Sequence, residues 1–261
     1  MRIEFLTQDD PLYVLPFFEE FVGAYASEFE ILQISCSPTM GKRSRVQMLK
    51  ELTQLYSVWG MGRLVSRLVR SKVLGALPKR RGAGKYASLS QLCEAYNIPC
   101  VRIGNPNGQE FVDEVRRRSP EVLVSVACPF ILKQPLLSIA SRGAINIHHA
   151  PLPKYRGMMP TFWQMYHGER STGLTIHSMV EKLDQGEALL QEEQPIQPGE
   201  SLDRLIRRSK RHGAHCMAKV LRQIADNSII PSVLDHARGS YFTFPTAAEI
   251  HEFRRRGLKA I

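Results

Sequence analysis

The chain has little sulfur chemistry to offer. Its 261 residues hold five scattered cysteines, Cys36, Cys93, Cys100, Cys128 and Cys216, with no CxxC pair. That odd count excludes a complete disulfide framework and paired-thiolate zinc motifs, and it fits reduced thiols in a cytoplasmic protein. No HExxH occurs, so no metal is expected. No window approaches the roughly 18 uncharged apolar residues of a membrane span. The opening "MRIEFLTQDDP" is broken by Gln8, Asp9 and Asp10 too early for a secretory signal. Phosphate-cradling glycine loops are missing too. "GMGRLV" has Val65 where a dinucleotide fingerprint needs its third glycine. "KRRGAGKYAS" has Lys79 and Tyr86 where a P-loop needs Gly and Ser or Thr.

Apolar residues make up 43% of the chain, enough for a substantial core in one large domain or two modest ones. The formal charge of +10 is concentrated. Between 42 and 86 stand twelve basic residues and one acid, Glu51, a net of +11; elsewhere 23 basic residues face 24 acidic ones, a net of −1. The basic balance therefore describes one segment and not the whole surface.

Apolar runs alternate with helical patterns. "RIEFLT", "EILQISC", "PCVRIG", "EVLVSVA" and "AINIHHA" read as strands. "DDPLYVLPFFEEFVGAY", with Pro11 at its start, "SLSQLCEAYN" and "QEFVDEVRRRS" read as helices, and "PLLSIA" as a short one. Val- and Ile-rich interior strands separated by helices predict an α/β fold: a Rossmann-like, mainly parallel sheet with helices on both faces. After about residue 172, "TGLTIHSMV" and "EALLQEEQPI" look like a strand pair. A long helix over 201–226 follows, then a strand and a helix with Thr246 and Glu249 at capping-box spacing. The division expected is a catalytic domain over 1–200, carrying the basic insertion at about 42–86, and a small C-terminal helix and strand extension over 201–261.

"INIHHAPLPKYRG", residues 145–157, breaks an apolar run with an Asn and two His and then brackets the backbone between Pro151 and Pro153. On a strand Asn146 and His148 project to one side, and Ile145, Ile147 and His149 to the other. An amide can stabilise an oxyanion and an imidazole can move a proton, so the pair suits a tetrahedral intermediate. His149 is expected to pack or hydrogen-bond within the fold. Taken alone, Asn-x-His is a weak signal that reads more readily as structural.

The continuation adds to it. "NIHHAPLPKYRG" followed by "TGLTIHSMVEKLDQGEALLQ" resembles the formyltransferase family that uses 10-formyltetrahydrofolate, over roughly residues 85–200. The matching positions are Asn146, His148, Leu152-Pro153 to Gly157, Thr172-Gly173, and Asp184 to Gly186. The resemblance implies that a primary amine attacks the formyl carbon of the folate donor. Asn146 would then donate to the oxyanion, His148 would shuttle the proton, and Asp184 would position the imidazole or relay protons through water. By the same resemblance, Cys128, Pro129, Phe130, Ile131 and Leu183 would wall the folate, and Arg156, Gly157, Met158, Thr161 and Trp163 would flank the acceptor. An amphipathic helix burying Phe162 and Tyr166 is equally expected in that last stretch.

Only about 60 residues follow Gly199, which weighs against a tRNA acceptor. "LTQDDPLY" is no phosphate loop, which weighs against glycinamide ribonucleotide. Similarity is greatest to stand-alone amino-sugar formyltransferases, so a small amine, an amino sugar nucleotide or another phosphate-bearing molecule, is the expected acceptor. Alternatives are a formyltetrahydrofolate hydrolase, a methionyl-tRNA formyltransferase-like enzyme, and a non-catalytic folate- or nucleic-acid-binding protein. From Trp59 to Leu77, Met61, Leu64, Val65, Leu68, Val69 and Val73 fall at helical spacing, with Arg63, Arg67 and Arg70 on another face. Such a helix either packs on the sheet with a solvated basic side or, over 58–81, meets anionic lipid or a phosphate-bearing acceptor. Sparse aromatics argue against nucleic acid. The final helix, "EIHEFRRRG", is open to either closing the active site or making a homodimer contact, with Arg254 to Arg256 solvated.

Overall fold

Strands buried on both faces need helices on both faces, and the sheet has them. The structure, a computed structural model, describes residues 1–38, 45–82 and 84–261; residues 42–44 and 83 of the basic segment lie outside the described residues. The sheet runs β3 (Cys100–Arg102), β2 (Glu30–Ser37), β1 (Arg2–Gln8), β4 (Val122–Val126), β5 (Ala144–His148), β7 (Ser171–Ser178), β8 (Ala188–Pro195). The first five are parallel, and β7 and β8 add the expected antiparallel pair. Strand order reverses between β1 and β4, so the crevice that open α/β sheets use for ligands lies at the carboxyl ends of these strands.

On one face Ile3, Phe5, Val124, Ile145 and Ile147 pack with α1 (Leu15–Tyr25), α3 (Leu89–Ala95) and α7 (Leu202–Ala225). Phe5 meets Phe18 and Phe21 edge-on at 5.2 Å, the arrangement aromatic quadrupoles favour. α7, expected to head the C-terminal extension, contributes Ala214, Met217 and Leu221 to this core. On the other face Leu6, Leu123 and Ala144 pack with α4 (Gln109–Arg118) and α5 (Gln134–Leu137). A separate cluster joins α2 (Arg45–Gly75), α6 (Pro160–Tyr166) and α8 (Ala247–Arg255) through Leu55, Tyr56, Phe162, Ile250 and Phe253. A two-stranded ribbon, β6 (Arg156–Gly157) with β9 (Tyr241–Phe242), lies beside it.

Three local expectations need correction. The first helix starts at Leu15 with Pro16 in its first turn, not at Pro11, because the Asp10 carboxylate accepts Leu12 N (2.8 Å) and Tyr13 N (3.1 Å) and makes 11–14 a turn. α2 is broken at Ser57 (φ 60°, ψ 171°), and most of its apolar stripe does not face the sheet. Leu64 is buried, but Val65, Val69 and Val73 are exposed, and Arg67 turns inward to Asp203 at 2.8 Å. Both sheet faces are already covered by other helices, so α2 docks beside α6 and α8 through Leu55, Tyr56 and Leu64 and reaches α7 through the Arg67–Asp203 pair. α8 neither stands free nor leaves its arginines merely solvated: Arg254 donates to the Leu55 carbonyl (3.0 Å) and Arg256 lies over the Tyr166 ring at 4.5 Å. Among the described residues no helix is long and apolar enough to cross a membrane.

Candidate active site

Strand geometry brings the first two polar groups together. Ala144, Asn146 and His148 share the sheet face that packs toward α4 and α5, and β7 runs antiparallel beside them with His177 opposite Asn146 and Thr175 opposite His148. Asn146 Nδ2 lies 3.1 Å from His177 Nε2, and His177 Nδ1 lies 2.8 Å from the Ser178 carbonyl. A carbonyl can only accept, so Nδ1 carries the proton and Nε2 accepts one N–H of the Asn146 amide. Burial lowers the His177 pKa, against opposing pulls from the Ser178 carbonyl and Asp184, and keeps the ring neutral. The second amide N–H of Asn146 stays available.

His148 is held from its other side. Its Nε2 lies 2.9 Å from the Tyr155 carbonyl and therefore donates. That fixes the tautomer and turns Nδ1 toward Asp184 Oδ2, 3.8 Å away. Asp184 Oδ1 stands 3.7 Å from His177 Nε2, and Oδ2 also accepts Gly157 N at 3.3 Å. Direct positioning of the imidazole, expected of Asp184, falls here to the Tyr155 carbonyl, because 3.8 Å exceeds hydrogen-bond length.

Asp184 reaches this point because its loop closes tightly. It sits at φ 52°, and a Cβ on Gly186 would lie 1.7 Å from the Ser178 oxygen, so only glycine lets the turn pack on the end of β7. The Pro-bracketed loop is tied down as firmly. Thr175 Oγ1 donates to the Ala150 carbonyl (2.7 Å) and accepts Leu152 N (3.0 Å). Gln164, fully buried, donates to the His149 carbonyl (2.9 Å) and accepts Gly173 N (2.8 Å). A Cβ on Gly173 would come within 2.7 Å of Pro151, so the loop lies against β7. His149 bonds Ser209 at 2.8 Å on the opposite face, as expected.

With that geometry in hand, the comparison with known proteins is decisive for the family. A family model described as formyl transferase matches residues 78–221. The chain belongs to the formyl transferase family. The methionyl-tRNA formyltransferase of Clostridioides difficile (strain 630) is 33% identical over 166 residues, which cover 62% of this chain and 54% of that protein. The chain thus spans about half the length of the curated relatives it matches. Glycinamide ribonucleotide transformylase 1 from Symbiobacterium toebii superposes with a TM-score of 0.60 at 13% identity, covering 90% of this chain and 94% of that one. A sugar 3N-formyl transferase solved in the presence of dTDP and 5-N-formyl-THF gives a TM-score of 0.56 at 17% identity, covering 100% of this chain and 82% of that one. At these identities the likeness to the two structures is one of fold.

In this member of the family, Asn146, His148 and Asp184 converge, with Gly157 N–H on the carboxylate. Cys128, Pro129 and Phe130 follow β4, half-buried, and Ile131 is exposed; Leu183 is exposed beside Asp184. Gln134 N donates to Glu181 Oε1 (3.0 Å), which ties these two loops together. Arg156 and Met158 lie on or beside β6, and Arg156 keeps a buried Nε without a partner. Thr161 and Trp163 are not brought to the site. Both are buried at 4% exposure, and Trp163 donates to the Thr243 carbonyl (3.0 Å) and stacks on Phe242 at 4.6 Å. They lie on the inner face of α6, the alternative allowed for that stretch. Sequence reasoning missed His177, Tyr155, Thr175 and Gln164. Period-two alternation along "TGLTIHS" puts Thr175 and His177 on one face, but only the β5–β7 register sets that face beside Asn146.

Proposed function

We propose that the chain transfers a formyl group from 10-formyltetrahydrofolate to the primary amine of a small acceptor, in the cytoplasm, where five free thiols stay reduced. The observation that carries this is the pairing of an oriented Asn146 amide with a His148 tautomer whose Nδ1 faces Asp184, in a chain of the formyl transferase family. The free N–H of Asn146 donates to the oxyanion that forms when the amine attacks the formyl carbon. His148 Nδ1 takes the proton the amine sheds and returns it to the departing folate nitrogen. Asp184 stabilises the imidazolium between those steps.

The residues fit the donor. Ile131, Val180 and Leu183 are exposed apolar side chains on the two tied loops, and they offer walls for a flat ring with backbone groups at its edge. On the acceptor side, Arg156 has its unpaired Nε, and Gly157 and Met158 adjoin it. Amino sugar nucleotides are the acceptors to screen first, since a sugar 3N-formyl transferase shares the fold. We further propose that the catalytic body includes α7, leaving the segment after it as the extension.

The test is calorimetric binding of 5-formyltetrahydrofolate, followed by turnover of 10-formyltetrahydrofolate with amino sugar nucleotides. Micromolar binding and acceptor-dependent turnover are expected, with Asn146→Ala and His148→Ala each losing about 100-fold or more. No binding would remove the folate assignment. Formate release without any acceptor would make the protein a hydrolase.

A further inference from the structure

Beyond its break at Ser57, α2 has a mixed inner side and an apolar outer one. The inner side seats Gly60 and Leu64 against the body, sends Arg67 to Asp203 and places Ser71 Oγ on the Ala87 carbonyl. The outer side leaves Val58 78%, Trp59 89%, Val65 49%, Val69 55% and Val73 62% exposed. At 3.6 residues per turn these five fall within an arc of about 120°. Arg63 and Arg70 border one edge of the arc and Lys72 the other. Scattered apolar residues on a surface need no explanation, but a continuous stripe does.

We propose that this outer face of α2 is a membrane-docking surface that lies in the interface of an anionic bilayer, apolar stripe inward and flanking cations on the headgroups. Both halves of the pattern ask for the same partner. A second copy of the chain would cover the stripe but set Arg63, Arg70 and Lys72 against their own kind. A nucleic acid would meet the cations and leave four valines in water. An anionic lipid surface meets both, and a helix of this kind lies flat with its aromatic residue at headgroup level. The charge distribution aims the molecule, since the segment over 42–86 carries +11 and the remainder −1. Behind Arg70 the cationic edge continues into a cleft of about 630 Å³ that is also lined by Arg67, Lys79, Lys85, Arg207 and Arg211.

The protein carries its own reporter. Trp59 is 89% exposed, whereas the other tryptophan, Trp163, is 4% exposed and hydrogen-bonded. The full chain is mixed with phosphatidylcholine vesicles and with phosphatidylcholine–phosphatidylglycerol vesicles at about 7:3. Expected are co-sedimentation and a blue shift of Trp59 emission with the anionic vesicles alone, weakening at least tenfold between about 0.05 and about 0.5 M salt. V65D/V69D should abolish binding without lowering Tm, because both positions are exposed; R63E/R70E should weaken it at least tenfold. Equal recovery with neutral and anionic vesicles would overturn the proposal, and so would sedimentation with unshifted Trp59 emission, which signals adsorption by charge only. A dimer in light scattering that V65D/V69D splits would assign the face to a second copy instead. No readout involves formyl transfer, so failure here leaves the catalytic reading untouched.

Discussion

Asn146 is useful only if its nitrogen end points the right way, and an amide rotates easily. His177 supplies the orientation, because its Nδ1–H is committed to the Ser178 carbonyl and its Nε2 can then only accept. In the proposed mechanism it acts through Asn146, as a positioning residue. His177→Ala should lower kcat about 10- to 100-fold with KM within about twofold, since a loosened oxyanion donor costs part of what its deletion does. His177→Gln, which keeps an acceptor, should recover some of that loss. Unchanged kcat, or a loss carried by KM, would remove His177 from this role. Asn146 and His148 were legible because a strand's period places i and i+2 on one face. His177 was not, because it stands 31 residues from Asn146 and only an antiparallel register brings it there.

The loop that carries Asp184 and the loop over 150–157 behave as rigid mounts. Gly186→Ala puts a Cβ on top of the Ser178 oxygen, so the 181–186 turn must lift from β7 and take Asp184 with it. A loss of at least about 100-fold in kcat is expected, since small misplacements near the chemistry cost that much. The variant should fold, as circular dichroism will show, because the main core lies on other elements. Near-normal activity would mean that Asp184 need not stand where it does. The Leu-Pro-x-x-x-Gly and Thr-Gly signatures are visible in the chain as short motifs. Their cause is a contact between them, Pro151 on Gly173, that neither motif shows alone. α2 is the converse case. Its period announced a helix with one apolar stripe, but only the docking through Leu64 and Arg67 decided that most of that stripe faces water.

For the whole molecule, buried bases set the response to pH. Burial lowers the pKa of His177, and burial with Lys210 nearby holds His149 well below its ordinary value. Both stay neutral in the fold, while the unfolded chain protonates them below about 6.5. The unfolded state then binds more protons, so stability should fall as pH drops below 6.5, by up to about 1.4 kcal/mol per pH unit for each ring. Lys210, buried, is lowered to about 8 from 10.5. Between those values the unfolded chain again holds the extra proton, so stability should rise from pH 8 toward about 10. Calorimetric Tm should therefore be flat near pH 7 to 8, falling below and rising above. His149→Gln should flatten the acid limb by about one proton and Lys210→Met the alkaline limb. Limbs unchanged in the variants would mean these groups are not neutral in the fold.

By itself the sequence determined what repeats locally. Apolar runs and capping residues specified alternating strands and helices, and the two-residue strand period specified that Asn146 and His148 project from one side. Tertiary structure decided what depends on distant partners: which histidine orients the amide, which carbonyl holds the imidazole, how Asp184 is carried in, and which face of α2 is left to solvent. The physical reason is that local propensity is read from neighbours in the chain, whereas register, loop closure and helix docking follow from contacts between segments that only the packed fold brings together.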